Sequence, residues 1–382
     1  MKTTGPTVQS LLACPGLESM SLPIHRQARA RAIILLDTDS RLSDKNQNKV
    51  PLNGTNGRRS DQPGLPLTRL PNEEDGMIAE TATEELHHQI NDILRGGVDP
   101  HVHSGPSIAP RALDHLELAR QLSEAGFIAA VTKDHDYSGV AAAQLIQKHH
   151  PELSTKIYSS IVLNNVVGGL NPYAVEHTAA LGGKIVWLPT LAAENHLRWE
   201  KTSGWAHPAS TQKMRPATAV PLFNADGKML PELLDVLDVI AANDMVLASG
   251  HIHVSETRTV FAEALKRGVK RLVFTHPEDI VGATPEDARE IANMGAYVEH
   301  SLAFFLDGSK FQTRDRHDFR AHIDAVGTSR TILCSDLGQV GTYSPLEGFR
   351  RGVATCLELG YRDGDIHEMV AQNAADVLGL NG

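Results

Sequence analysis

From Ile78 onward the chain alternates short apolar or β-branched runs with helical stretches, and it does so eight times. Parallel strands need a crossover connection, which is usually a helix, so this alternation predicts a parallel sheet covered by helices. The runs that read as strands are Gly97–Pro100, Phe127–Thr132, Lys156–Asn164, Lys184–Leu188, Met245–Ser249, Arg271–Phe274, Ala296–Glu299 and Thr331–Cys334. The helices between them carry boundary signals. Asn171-Pro172, Thr284-Pro285 and Ser344-Pro345 each put a capping side chain before a proline suited to the first helical position. Glu347, three residues after Ser344, predicts a capping box. Gly126, Gly182, Gly268, Gly295 and Gly360 follow helical runs, where helices commonly end. Eight such units predict an α/β fold of the (β/α)8, or TIM, barrel class. An open doubly wound sheet is disfavoured, because no Gly-x-Gly-x-x-Gly turn follows the first strand.

Residues 1–76 differ in kind. They are rich in Pro, Gly, Asn, Ser and Arg, have one short apolar run at Ala32–Leu36, and carry ten basic against eight acidic residues. We read them as an N-terminal extension, mostly disordered or irregular, ahead of a barrel domain at 77–382, with Met77 a candidate natural start. Within the barrel one connection breaks the rhythm. About forty residues separate the fourth strand from a helix beginning near Leu230, and they include Arg198, Trp199, Lys201, Trp205, Lys213 and Arg215. A stretch of that length is either a solvated excursion or a lid whose cations and rings meet the substrate, and Arg198 and Arg215 are the candidate substrate-binding residues.

Charge narrows the partners. With 36 Lys plus Arg against 46 Asp plus Glu the net charge is −10, which disfavours nucleic-acid binding and basic membrane association. No apolar run approaches the roughly 18 residues of a membrane span, and no signal-peptide pattern opens the chain. The three cysteines, Cys14, Cys334 and Cys356, are too scattered for a disulfide framework or a Cys-rich zinc module, so a reducing cytoplasm is the expected setting. Against nineteen histidines, they leave any metal to be held by imidazole and carboxylate.

In a β/α barrel, chemistry is assembled where the C-terminal ends of the strands converge, so position decides which histidines matter. His101 and His103 are two apart on the first strand and leave the same face of an extended chain, as two ligands of one metal would. The second strand ends in Lys133-Asp134-His135, the fifth in His251-Ile-His253, the sixth in His276, the seventh in Glu299-His300 and the eighth in Asp336. Singly, a histidine after a strand is more often a hydrogen-bonded core or loop residue than a ligand. Together, His101, His103, His251 and His276 read as metal ligands, with His253 competing with His251, and Lys133 or His135 completing the site. Three roles are open to Lys133: ion-pair partner of Asp134, substrate-orienting cation, or, once carbamylated, an anionic ligand bridging two metals. His300 either binds substrate or packs beneath the mouth. The helical histidines His115, His149, His150, His177, His317, His322 and His367 are expected on solvated faces.

The order His-x-His on strand one, His on strands five and six and Asp on strand eight resembles the amidohydrolase superfamily of metal-dependent hydrolases. Gln372-Asn-Ala-Ala-Asp-Val-Leu-Gly-Leu380 is similar to the Asn-x-Ala-x-x-Leu-Gly segment of many members, and Asp99-Pro-His-Val-His-Ser104 resembles the opening of PHP-type phosphoesterases. The resemblance spans residues from about 85 to 380. Strand four departs from it: where a bridging Lys or Glu is usual, the chain runs Trp187-Leu-Pro-Thr190, and Glu194 is the nearest carboxylate. The PHP pattern is departed from at Asn164 and Asn165 on strand three and at Leu337-Gly338 after Asp336. The resemblance implies one or two ions, Zn²⁺ first and Mn²⁺ or Fe²⁺ as alternatives. They would activate water for cleavage of an amide, lactam, imide or lactone bond in a small molecule bearing a carboxylate or a ring. Asp336 is the expected catalytic proton shuttle. A PHP-like phosphoesterase and a non-catalytic metal-binding barrel are the rival readings, and pairing into a homo-oligomer is expected from the fold class.

Overall fold

The structure, a computed structural model, describes residues 73–204, 210 and 212–380, the side chains of 73–82 excepted. The expected extension up to residue 72, Cys14 and Trp205 lie outside them. The chain divides into two units at His87/His88, and helix α1 (Glu73–Leu94) runs through that division.

In the second unit each expected strand forms: β1 (Val98–Val102), β2 (Ala129–Thr132), β3 (Lys156–Val162), β4 (Ile185–Trp187), β5 (Val246–Ala248), β6 (Arg271–Thr275), β7 (Tyr297–Ser301) and β8 (Thr331–Cys334). All neighbours pair in parallel in chain order, and helices cover the outside, which makes the (β/α)8 barrel. Those helices are α2 (His115–Glu124), α3 (Val140–His149), α4 (Pro172–Ala180), α5 (Glu194–Ser203), α6 (Pro231–Ala242), α7 (Val254–Lys266), α8 (Pro285–Asn293), α9 (Leu302–Phe305), α10 (Arg316–Val326) and α11 (Pro345–Leu359). The chain ends in α12 (Asp363–His367), a π turn at Glu368–Gln372 and α13 (Asn373–Leu378).

Asn171, Thr284 and Ser344 cap α4, α8 and α11 as expected, each accepting a backbone N–H three residues on. The box at Ser344 is half-formed. Glu347 gives its N–H to Ser344, but its carboxylate accepts from Arg351 Nε at 2.8 Å, a competing ion pair one helical turn on.

Alternation sorts the strand residues into two layers. Ile161, Leu163, Val186, Leu247, Phe274 and Val298 face outward and pack with helical residues such as Leu233, Val236, Phe261 and Ile291. Val98, Ala129, Val131, Ile185, Val246, Val273 and Ile332 face inward, and Ala374, Ala375, Val377 and Leu378 of α13 join them. The C-terminal helix therefore seals the floor of the barrel. Its backbone is satisfied there too: Arg271 donates to the carbonyls of Asp376 and Val377 at 2.7 and 3.2 Å, and Lys184 to that of Leu378 at 3.2 Å. At the seam between β8 and β1, Asp336 N–H donates to His101 C=O and His103 N–H to Leu337 C=O, each at 2.9 Å. Below, the Asp99 carboxylate accepts Ser335 Oγ–H at 2.5 Å and Ser335 N–H at 3.1 Å.

Candidate metal centre and cavity

The alternation that fills the floor with apolar groups brings polar ones inward at the mouth. Continuing the inward set of β2 (Ala129, Val131) by two residues gives Lys133; continuing that of β8 (Ile332, Cys334) gives Asp336. On β7 the inward residues are Glu299 and Ser301, so His300 faces the helices. On β1 a register irregularity between Asp99 and Val102 accompanies the turn of His101 and His103 into the barrel.

His101 is the hub. Its Nδ1 lies 2.8 Å from Glu299 Oε1, and its Nε2 lies 3.1 Å from Asp336 Oδ1 and 3.0 Å from Lys133 Nζ. His103 Nε2 reaches the same Asp336 oxygen at 3.0 Å, and Ser301 Oγ donates to the other one at 2.9 Å. His101, His103 and Asp336 form one of two groups among the described residues whose donor atoms lie close enough to one another to hold a metal ion. His101, Glu299 and Cys334 form the second.

Burial sets the electrostatics here. It pushes the Asp336 carboxyl up, but the His101 and His103 rings outweigh it and hold the group well below the usual carboxylate range. Burial pulls His101 down, yet Asp336 and Glu299 outweigh it and keep the ring above its ordinary value against the Lys133 cation. Lys133, 1% exposed and stacked over Trp187 at 4.6 Å, is pulled down by burial. Asp99 is pushed up by burial to about 7, its hydrogen bonds from Ser335 opposing.

A cavity of about 410 Å³, counted with its open mouth, lies over this centre. His103, Lys133 and Asp336 line it, together with His135, His196, His251, His276 and Gln339 and an apolar wall of Ile280, Phe304 and Phe311. His251 Nδ1 lies 2.9 Å from His196 Nδ1, so one proton is shared between the two rings. The Nε2 atoms of both, and His276 Nδ1, are buried without a partner. Burial depresses all three rings, His196 to about 4. His135 Nδ1 meets Thr190 Oγ1 at 2.8 Å, and Asn164 bridges the two, donating to Thr190 Oγ1 at 2.8 Å and to the His135 carbonyl at 3.0 Å.

Backbone strain occurs at this end too, besides that of Asp244 (φ +49°) ahead of β5. His276 and Asp336 have φ of +23° and +50°, a region side chains avoid unless the surroundings enforce it. Gly338, at φ +116°, lies so close to His103 that a Cβ would fall 1.6 Å from the His103 carbonyl oxygen.

Of the residues expected from sequence, the structure thus brings His101, His103, Lys133, His135, His251, His276 and Asp336 around one space. Others go elsewhere. His300, fully buried, has its Nδ1 hydrogen-bonded to Glu278, whose carboxyl is held down by that ring against the push of burial. His253 caps α7, accepting Ser255 N–H at 3.2 Å, so it does not compete with His251. Arg198 and Arg215 are exposed, and the opening of the supposed lid is helix α5. Lys133 is not the partner of Asp134; Arg111 is, at 3.6 Å. His115 and His322 are buried rather than solvated, because their helix faces turn inward: His115 Nδ1 meets Ser104 Oγ at 2.6 Å and His322 packs at 5.9 Å from His300. Sequence reasoning missed His196, which no strand-end rule could find on a helix, and passed over Glu299, which the alternation on β7 would have preferred to His300.

The model described as "Family of unknown function (DUF6282)" matches residues 96–299, more than half of the chain, and the chain belongs to that family. Asp336 lies beyond the matched segment. Among solved structures, the chain is similar to an amidohydrolase from Pseudomonas aeruginosa, with 12% identity over 77% of this chain and 98% of that one, at a TM-score of 0.54. It is also similar to the "probable dipeptidase PvdM" from Pseudomonas aeruginosa, with 11% identity over 78% and 98% of the two chains, at a TM-score of 0.51. At such identities the likeness is one of fold. No curated protein matches the sequence.

Proposed function

We propose that the chain is a metal-dependent hydrolase of amidohydrolase type, cleaving an amide, lactam, imide or lactone bond of a small molecule. The observation that carries this reading is the convergence of His101 Nε2 and His103 Nε2 on Asp336 Oδ1 at 3.1 and 3.0 Å, all buried. Two ring nitrogens and a carboxylate oxygen that close are bridged by N–H hydrogens in the metal-free chain, and a cation could take their place. The Glu299 carboxylate on His101 Nδ1 is the kind of partner that fixes a ligand's tautomer.

His101, His103 and Asp336 would hold the ion, with His135 stacked on His103 at 5.2 Å and His251 and His276 also lining the cavity. A divalent cation bound there, Zn²⁺ first and Mn²⁺ or Fe²⁺ next, supplies a Lewis acid for the carbonyl and lowers the pKa of water from about 15.7 towards 7. Asp336, anchored at Oδ2 by Ser301, accepts the proton of the attacking water and returns it to the leaving nitrogen or oxygen. Lys133, biased by burial towards the uncharged amine, is open to carbamylation, which would provide the anionic bridge that strand four lacks. Ile280, Phe304 and Phe311 offer an apolar face to the body of the substrate.

Metal analysis of the purified full-length chain tests this. About one or more ions per chain is expected; fewer than about 0.1, with no gain of hydrolytic activity on adding Zn²⁺ or Mn²⁺, overturns it.

A further inference from the structure

Arg111 lies in the loop between β1 and α2, and its side chain is only 4% exposed. Burial lowers its pKa, but a guanidinium stays charged at neutral pH and carries five donors. Its nearest anion, Asp134 Oδ2, is 3.6 Å away, beyond hydrogen-bond range, and its Nε and Nη1 are buried with no hydrogen-bond partner. The ion pair with Asp134 is long and leaves those two buried donors without an acceptor, a costly arrangement.

The neighbours of Arg111 belong to the cavity. Asp134 sits between the lining residues Lys133 and His135, and the Arg111 backbone bridges to that of Gln339, itself a lining residue. Gln339 is 5% exposed; its Nε2 donates to the Asp336 carbonyl at 3.2 Å, while its Oε1 is buried and unpartnered. On this side of the mouth a buried arginine with a long ion pair and two unpartnered donors is held by backbone pairing to a residue whose amide oxygen has no donor. The charge of Arg111 is felt at His103 and Lys133.

We infer that Arg111 is the anchor for a carboxylate on the substrate, with Gln339 Oε1 accepting an N–H beside it. The substrate class is then a carboxylate-bearing amide whose apolar portion meets Phe304 and Phe311. This deepens the hydrolase reading and rests on it for the bond cleaved, but the anion site itself needs no metal. An arginine fork suits a carboxylate or a phosphate better than a lysine does, so the two oxyanions must be separated by experiment.

Binding is measured by calorimetry on the full chain, metal-loaded and chelator-treated, with N-acetylglycine, its neutral amide N-acetylglycinamide, and inorganic phosphate. N-acetylglycine is expected to bind at least about tenfold tighter than the neutral amide in both preparations, and Arg111→Gln should abolish that preference while Arg111→Lys keeps part of it. Equal binding of acid and amide by the unmodified chain overturns the inference whether or not the variants fold. So does a preference that survives in a folded Arg111→Gln chain, or tighter binding of phosphate than of N-acetylglycine. If the chain holds no metal but the preference persists, the hydrolase reading fails and the anion site stands.

Discussion

At the floor of the barrel, α13 lays Ala374, Ala375, Val377 and Leu378 against inward aliphatic residues, and Arg271 and Lys184 satisfy its last carbonyls. At the mouth, the same eight strands end in buried His, Asp, Glu and Lys, ring nitrogens without partners, and two residues other than glycine at positive φ. The floor obeys the rules that make a sequence fold, apart from Asp244, at φ +49° ahead of β5. The mouth violates them in one place, and a chain keeps such violations where something else depends on them. Stability and chemistry are therefore assigned to opposite ends, and substitutions can test the division.

The largest effect is expected at the hub. His101→Ala removes the group shared by both candidate clusters, so metal content should fall below about 0.1 per chain. Any measured turnover should drop by more than about 100-fold, since partners of ligands alone commonly account for 10–100-fold. Retention of metal at the unaltered level would contradict this. Leu378→Ala is the matching change at the floor. With Leu378 2% exposed, a loss of about 2–5 kcal/mol is expected in urea unfolding, and metal content per folded chain should not move. Loss of metal from that variant would show the two ends to be coupled.

An intermediate effect is expected from acid. His115, near the mouth, is depressed by burial to about 4, so the folded chain binds this proton later than the unfolded chain, whose imidazole titrates near 6.5. The associated stability is complete above about pH 6.5 and is lost as pH falls towards 4, at most about 3 kcal/mol. Chemical unfolding of the metal-free chain across that window should show a shallower pH slope for His115→Gln. An unchanged slope removes His115 from the account.

The division also explains what could be read without the structure. Strand positions and the mouth histidines were legible because both follow from local periodicity: β/α alternation fixes which end of each strand converges, and spacing of two places His101 with His103. His196 was not legible, since it reaches the cavity from α5 in a stretch with no strand-end signal, and its contact with His251 spans 55 residues. For His300 the sequence leaves two roles open, and the structure shows the packed one, because the face it occupies on β7 turns it from the cavity. His115 and His322 were assigned to solvent although helix faces decide their burial. Arg111 was passed over because a loop residue becomes buried only through the β1, β2 and β8 connections closing around it.

The smallest effects separate the arginines expected to hold substrate from the arginine enclosed beside the barrel mouth. Arg198 and Arg215 are both exposed on the segment after β4, where a cation is hydrated and screened and contributes little to a fixed contact. Arg198→Ala and Arg215→Ala should each change stability by less than about 0.5 kcal/mol and leave the preference for N-acetylglycine over its amide within about twofold of the unaltered value. Arg111 has its guanidinium already dehydrated, so an arriving carboxylate gains a charge-assisted pair without displacing that cation's water. Calorimetry on the two exposed variants beside Arg111→Gln therefore makes one comparison. A tenfold loss of preference at either exposed arginine would move the anion site from the barrel mouth to the loop.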